Sequence, residues 1–167
     1  MEKWDAYDIH MQKTGELLTR GQPIPKGRYH LVIHAWFVND RGDILLQRRS
    51  LEKPLAPGLW SCLCGSALSG ETPEQAVIRE TQEEMGFTPD MDRAVCMLRL
   101  VADGNHLFVY RIPYQGVAEK LTLQQEEVMD AKWFTREQVE ALCDQSEVFW
   151  RFKYSPLMLT LLSQNLI

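Results

Sequence analysis

The sequence has no run of about 18 apolar residues, the length a membrane-spanning helix needs. Its longest greasy stretch, Leu157 to Leu162, is short and interrupted by Thr160, so a membrane partner is not expected. Positive charge is not in excess either. Eighteen Lys and Arg against 23 Asp and Glu leave a net charge of −5, which argues against a nucleic-acid backbone as partner. Nucleotides stay open, because a metal and a few local cations can meet their phosphates. Cysteine is sparse: Cys62, Cys64, Cys96 and Cys143 include no CxxC pair. A zinc cluster is therefore not expected, and reduced thiols in a cytoplasmic setting are the default. The first residues, MEKWDAYDIH, are charged and lack the apolar segment of a secretory leader. Repeats, low-complexity tracts and long linkers are also missing. What is present is ordinary for a globular chain, 45% hydrophobic and 25% charged over 167 residues. That is enough for a core of its own, and residues 1–167 read as one domain.

Strands and helices alternate irregularly along it. Trp4 to Ile9 reads as a strand, followed by a turn near Lys13-Thr14-Gly15 and a second short strand. Gln22 to Gly27 is loop chemistry, so residues 1–28 form a hairpin extension and a loop. His30 to Val38 is a mostly apolar strand; Asn39 to Asp43 turns the chain, and Ile44 to Arg48 returns. Ala94 to Val101 and His106 to Ile112 suggest a hairpin, and Met129 to Phe134 a last strand. Thr135 caps one late helix, and Ser155-Pro156 opens an amphipathic final one. Mixed strands with helices before and after fit an α/β/α sandwich with a mixed β-sheet.

The densest chemistry lies in residues 65–87. Thr72-Pro73-Glu74-Gln75 is a helix start, with Thr72 as N-cap, Pro73 at N1 and Gln75 closing a capping box. Gly86 suits a left-handed C′ position, so the spacing predicts a helix over Pro73 to Met85. Ala76, Val77 and Met85 face the sheet in that reading. Glu80, Glu83 and Glu84 fall at i, i+3 and i+4 and share another face. Alone, such like charges oppose the helix by a few tenths of a kcal/mol. A divalent cation reverses the sign, and clustered carboxylate oxygens suit Mg²⁺ or Mn²⁺. The pattern is that of a metal site able to hold a diphosphate. Arg79, four residues before Glu83 and next to Glu80, can fix a carboxylate in place. The bland alternative is a solvated helix with charges at ordinary spacing.

The spacing G-x5-E-x7-R-E-U-x-E-E-x-G-U, with U apolar, is the Nudix box. This segment resembles it at Gly65, Glu71, Arg79, Glu80, Glu83, Glu84 and Gly86. At average residue frequencies a chance match is rarer than about one in a million. Phe87 fits the final apolar position; Thr81 stands where an apolar residue is usual. Outside the box, Gln47-Arg48-Arg49-Ser50, Lys53, Pro57-Gly58-Leu59-Trp60 and Glu127-Val128-Met129-Asp130 with Trp133 resemble one Nudix branch. That branch contains type 1 isopentenyl-diphosphate isomerase and related hydrolases. The resemblance implies the same sandwich fold, extended here by the N-terminal hairpin.

It also implies a mechanism. Glu80, Glu83 and Glu84 would bind one or more Mg²⁺ ions, Mn²⁺ being an alternative, with the carbonyl of Cys64 or Gly65 as a further candidate ligand. Activated water would then cleave the diphosphate of a small-molecule, nucleoside diphosphate-linked substrate. Glu127 or Glu126 is a candidate base, and Glu80 the alternative. Arg48, Arg49 and Lys53 are candidates to clamp the outer phosphate. Alternation along a strand lets only one arginine face the cleft, and the resemblance favours Arg49. Gly65, Glu71 and Gly86 are structural members of the box. Two other readings compete. An isomerase would use Cys64, yet Ser66 replaces its metal-binding histidine, and Asn105, His106 and Leu107 stand where it carries a Glu-x-Glu pair. A non-catalytic diphosphate sensor would normally have lost box glutamates. His30, His34 and Trp36 share a strand face; buried hydrogen-bonded histidines are the simpler account of the first two. Trp36, Trp60, Phe108 and Tyr110 either stack a ligand or fill the core. A homodimer is conceivable through the N-terminal hairpin or the apolar C-terminal helix.

Overall fold

The computed structural model describes residues 1–149 and 159–160. The helix start expected at Ser155-Pro156 lies outside the described residues; of that segment only Leu159 and Thr160 are described, both helical, with Leu159 buried in the core.

The sheet is organised around β3 (His30–Val38), a strand buried along its whole length. A strand covered on both faces reads as a continuous apolar run, and HLVIHAWFV is nearly that. Leu31, Ile33, Ala35 and Phe37 join one core layer, Val32, Trp36 and Val38 the other. β3 pairs in parallel with β8 (Asn105–Pro113), from His30 opposite Asn105 to Val38 opposite Pro113. β7 (Val95–Ala102) pairs antiparallel beyond β8. On the other edge, β4 (Ile44–Arg49) pairs with β3 at only two positions, Phe37–Leu45 and Val38–Ile44. The two strands then part. β6 (Leu63–Ser66) takes the freed edge of β3, while β5 (Trp60–Ser61) and β9 (Val128–Phe134) pair with β4. The result is a mixed sheet, split on one side of its centre.

Helix α1 (Pro73–Met85) covers one face and α2 (Arg136–Asp144) the other, giving the α/β/α sandwich. Both helices carry the capping box, at Thr72–Gln75 and Thr135–Gln138. Gly86 ends α1 with φ 75°, and a Cβ there would come within 2.7 Å of Thr122. Thr81 is fully buried, and its hydroxyl donates to the Val77 carbonyl at 2.6 Å, which satisfies a polar group in an apolar position. Trp36, Trp60, Phe108 and Tyr110 are core residues, so the ligand-stacking alternative for them is set aside.

The N-terminal hairpin forms with a different turn from the one expected. β1 (Lys3–Tyr7) and β2 (Lys13–Thr19) are joined by residues 8–12. Asp8 organises this turn by accepting from the amides of His10 and Gln12, both at 2.9 Å. Gly15, whose presence suggested the turn, lies inside β2 with φ 81°, where the register shifts. Trp4, Ala6 and Leu18 pack into a small core of their own, with Ile24 and Leu68 against it. Among the described residues no helix is long and apolar enough to cross a membrane.

Candidate active site

The split between β3 and β4 opens a cleft of about 440 Å³, within the range that holds a small organic ligand. Its walls come from five places. α1 supplies Arg79, Glu80, Glu83 and Glu84; β3 and β6 supply His30, His34, Cys64 and Gly65. Arg49 and Lys53 reach it from the end of β4 and the loop after it, and Glu127 from the loop before β9. The N-terminal hairpin closes one side with Glu2, Trp4 and Arg20. Trp4 stacks on His30 there, ring centroids 4.0 Å apart and nearly parallel.

Arg79 organises the acidic wall. Its guanidinium meets Glu71 in a two-pronged contact at 2.8 and 3.1 Å and the Ser66 carbonyl at 3.0 Å. The same group reaches Glu80 and Glu83, each at 3.0 Å. Glu71 also accepts the Leu68 amide at 2.8 Å. Although burial opposes it, this pairing with Arg79 and the Leu68 amide keeps Glu71 below the usual carboxylate range. Glu71 is thus a brace that ties the loop before α1 to the arginine.

Glu80 and Glu84 are held differently. Burial pushes Glu80 up to about 7 even with Arg79 pulling the other way. Burial pushes Glu84 up to about 8, the nearby Glu80 charge adding to it, although Glu84 accepts a 2.8 Å hydrogen bond from Gln47. Glu83 is the exposed member, its side chain 53% accessible. Gly65 lies directly against Glu80: a Cβ added there would fall 2.4 Å from the carboxyl group. Glycine is required by this close approach and not by an unusual backbone angle. A hard divalent cation fits the donor set, because it takes carboxylate oxygens and offsets the burial, and the lesser mutual repulsion, that raise Glu80 and Glu84.

The basic candidates separate. Arg49 faces the cleft, its Nε donating to the Leu55 carbonyl at 3.0 Å and its guanidinium lying over Phe149. Arg48 turns to the opposite side, donating to the Gly58 carbonyl at 2.8 Å beside the Trp60 ring. Lys53 forms an ion pair with Glu127. Glu127 lines the cleft, whereas Glu126 does not appear among its lining residues.

One grouping escaped the sequence reading. His34, Cys62 and Cys64 place their imidazole nitrogen and two sulfur atoms within 4.8 Å of one another. The two sulfurs are 3.5 Å apart. Contact with Cys62, then with His34 and Arg49, holds the Cys64 thiol well below its usual range against the burial that opposes it. Cysteine spacing alone could not reveal this cluster, since its third member comes from another strand. The Gln47–Glu84 bond and the Trp4–His30 stack were equally hidden, because both join residues far apart in the chain.

Comparisons with known proteins bear on the family and the fold. The family profile described as NUDIX domain matches residues 28–155. A Listeria monocytogenes protein named only as an uncharacterised Nudix hydrolase is 36% identical over 148 residues, 88% of each chain. An isopentenyl-diphosphate Delta-isomerase of Escherichia coli is 30% identical over 141 residues, spanning 74% of this chain and 78% of that one. The crystal structure of DR0079 from Deinococcus radiodurans superposes with a TM-score of 0.77 at 20% identity, covering 98% of this chain and all of the other. That likeness concerns the fold. On the profile and the relatives together, this chain belongs to the Nudix family, in the branch related to the type 1 isopentenyl-diphosphate isomerases.

Proposed function

We propose that the chain is a Mg²⁺-dependent hydrolase that splits the diphosphate of a small, nucleoside diphosphate-linked molecule. The observation that carries this reading is the convergence of Glu80, Glu83 and Glu84 on one cleft, Glu80 half-buried and raised to about 7, Glu84 buried and raised to about 8. These three would hold the cation, with Mn²⁺ as a substitute. A cation bound there would supply charge neutralisation for the diphosphate and would make a water easier to deprotonate.

The remaining work falls to the chain's own groups. Arg79 and Glu71 fix the carboxylates, so their positions cost no reorganisation when substrate arrives. Arg49 offers a planar fork to the outer phosphate, and Lys53 a point charge beside it. Glu127, oriented by Lys53, takes the proton from the attacking water, Glu80 being the alternative base. The oxygen of that water bonds to one phosphorus, the bridging P–O bond breaks, and the second phosphate leaves with its organic group.

The isomerase reading draws on Cys64, which faces the cleft. One experiment separates the two: Mg²⁺-dependent product formation, read as phosphate or pyrophosphate from nucleoside di- and triphosphates and isopentenyl diphosphate and as nucleoside monophosphate from dinucleotides and nucleotide sugars, wild type beside Glu83→Gln. Mg²⁺-dependent hydrolysis, reduced by at least about 100-fold in the variant, supports the hydrolase. Absence of hydrolysis with Cys64-dependent deuterium uptake into isopentenyl diphosphate would replace it by the isomerase. Tight substrate binding without turnover in either assay would point to a sensor.

A further inference from the structure

The side chains of His34, Cys62 and Cys64 have no part in the proposed hydrolysis. We propose that they form a second cation site, for a soft or borderline divalent metal with Zn²⁺ as the type, separate from the carboxylate set. The proposal does not depend on the hydrolase reading.

The site follows from strand register. β3 and β6 run antiparallel with His34 directly opposite Cys64, so the two side chains rise from one face of the sheet. Cys62 precedes Cys64 by two residues, and the two-residue period of extended chain returns it to that face. The sulfurs stand 3.5 Å apart and all three donor atoms lie within 4.8 Å of one another. Tetrahedral zinc, with Zn–S near 2.3 Å and Zn–N near 2.0–2.1 Å, sets its donors roughly 3.5–3.8 Å apart. The three groups therefore reach that geometry with small side-chain movements and no rearrangement of the strands.

Two further features define what would bind. His34 and Cys64 line the cleft, whereas Cys62 is buried behind them. Three protein donors with one side open leave a fourth position for water or for an oxygen of a bound molecule, as in open zinc sites. Sulfur and imidazole donors select Zn²⁺, while carboxylates on α1 suit Mg²⁺ or Mn²⁺. One cleft thus presents a hard and a soft donor set side by side, and the two are distinguishable by metal type.

The test uses the full chain with Mg²⁺ in excess, titrated with Co²⁺ and then Zn²⁺. Co²⁺ is expected to show a thiolate-to-metal charge-transfer band in the near ultraviolet and the visible bands of tetrahedral cobalt, both abolished by Zn²⁺. Cys62→Ser or Cys64→Ser is expected to weaken Zn²⁺ binding by at least about 100-fold. Glu83→Gln should leave it within about twofold, as for independent sites. If a cysteine variant folds poorly by circular dichroism, His34→Asn reads the same loss with both thiols retained. A cobalt spectrum without thiolate bands overturns the proposal. So does Zn²⁺ affinity that survives all three variants at the cluster and disappears in Glu83→Gln.

Discussion

The two donor clusters on this cleft are built in opposite ways. Glu80, Glu83 and Glu84 lie within one turn of a single helix whose both ends are fixed by local chemistry. His34, Cys62 and Cys64 meet only because β6 fills the edge that β4 leaves open on β3. The first arrangement is a consequence of the 3.6-residue helical period. The second is a consequence of sheet register, which depends on pairing between residues distant in sequence. One cluster is oxygen-rich and holds carboxylates raised by burial; the other is sulfur- and nitrogen-rich. Local order thus supplies the reactive centre proposed here, and long-range order supplies its neighbour.

The largest effect should come from removing a carboxylate. Glu80→Gln is expected to lower turnover at least about 100-fold with secondary structure unchanged by circular dichroism. Cys62→Ser, on the other cluster, should leave the Mg²⁺ dependence of turnover in place. Next in size is Gly65→Ala. The added methyl would displace Glu80, and a misplacement near 1 Å costs about 100-fold in rate. Steady-state kinetics should place that loss mainly in kcat.

The pH dependence sharpens the contrast between the clusters. Glu80 and Glu84 have folded-state values near 7 and 8, above the unfolded carboxylate value of about 4.3. The metal-free folded chain therefore binds protons more tightly than the unfolded chain. Its stability from these groups is fully present below about pH 4 and is lost as pH rises through 7 to 8. Because Mg²⁺ competes with those protons, its stabilising effect should grow over the same window. Thermal unfolding with chelator and with Mg²⁺, between about pH 5 and pH 9, checks both trends. Glu84→Gln should flatten the metal-free profile. An equally steep profile in that variant would remove the buried carboxylates as the cause.

The smallest effect separates the two arginines. Arg49→Ala should raise KM several-fold, whereas Arg48→Ala, which loses contact with Gly58 and Trp60, should change KM by less than about twofold. Equal effects would mean that Arg48 also reaches the substrate.

How much could be read in advance follows the same division. The helix Pro73–Met85, its caps and the full extent of β3 were legible, since each is fixed by neighbours in sequence. The first hairpin was found but its turn was misplaced, because Gly15 outweighed the side-chain turn that Asp8 makes. The parallel pairing of β3 with β8 joins residues separated by about seventy-five positions, and no local pattern encodes it. The role of Arg79 as a brace for three glutamates was only half visible. Its spacing to Glu83 indicated one contact, whereas its two-pronged hold on Glu71 required the loop to fold back.

The most direct measurement is a Mn²⁺ titration followed by electron paramagnetic resonance, in wild type, in Glu80→Gln/Glu84→Gln and in Cys62→Ser/Cys64→Ser. The account predicts that Mn²⁺ binding is lost in the carboxylate double variant and retained in the cysteine double variant. Retention in the carboxylate variant, with loss in the cysteine variant, would contradict the assignment of the hard-cation centre to α1.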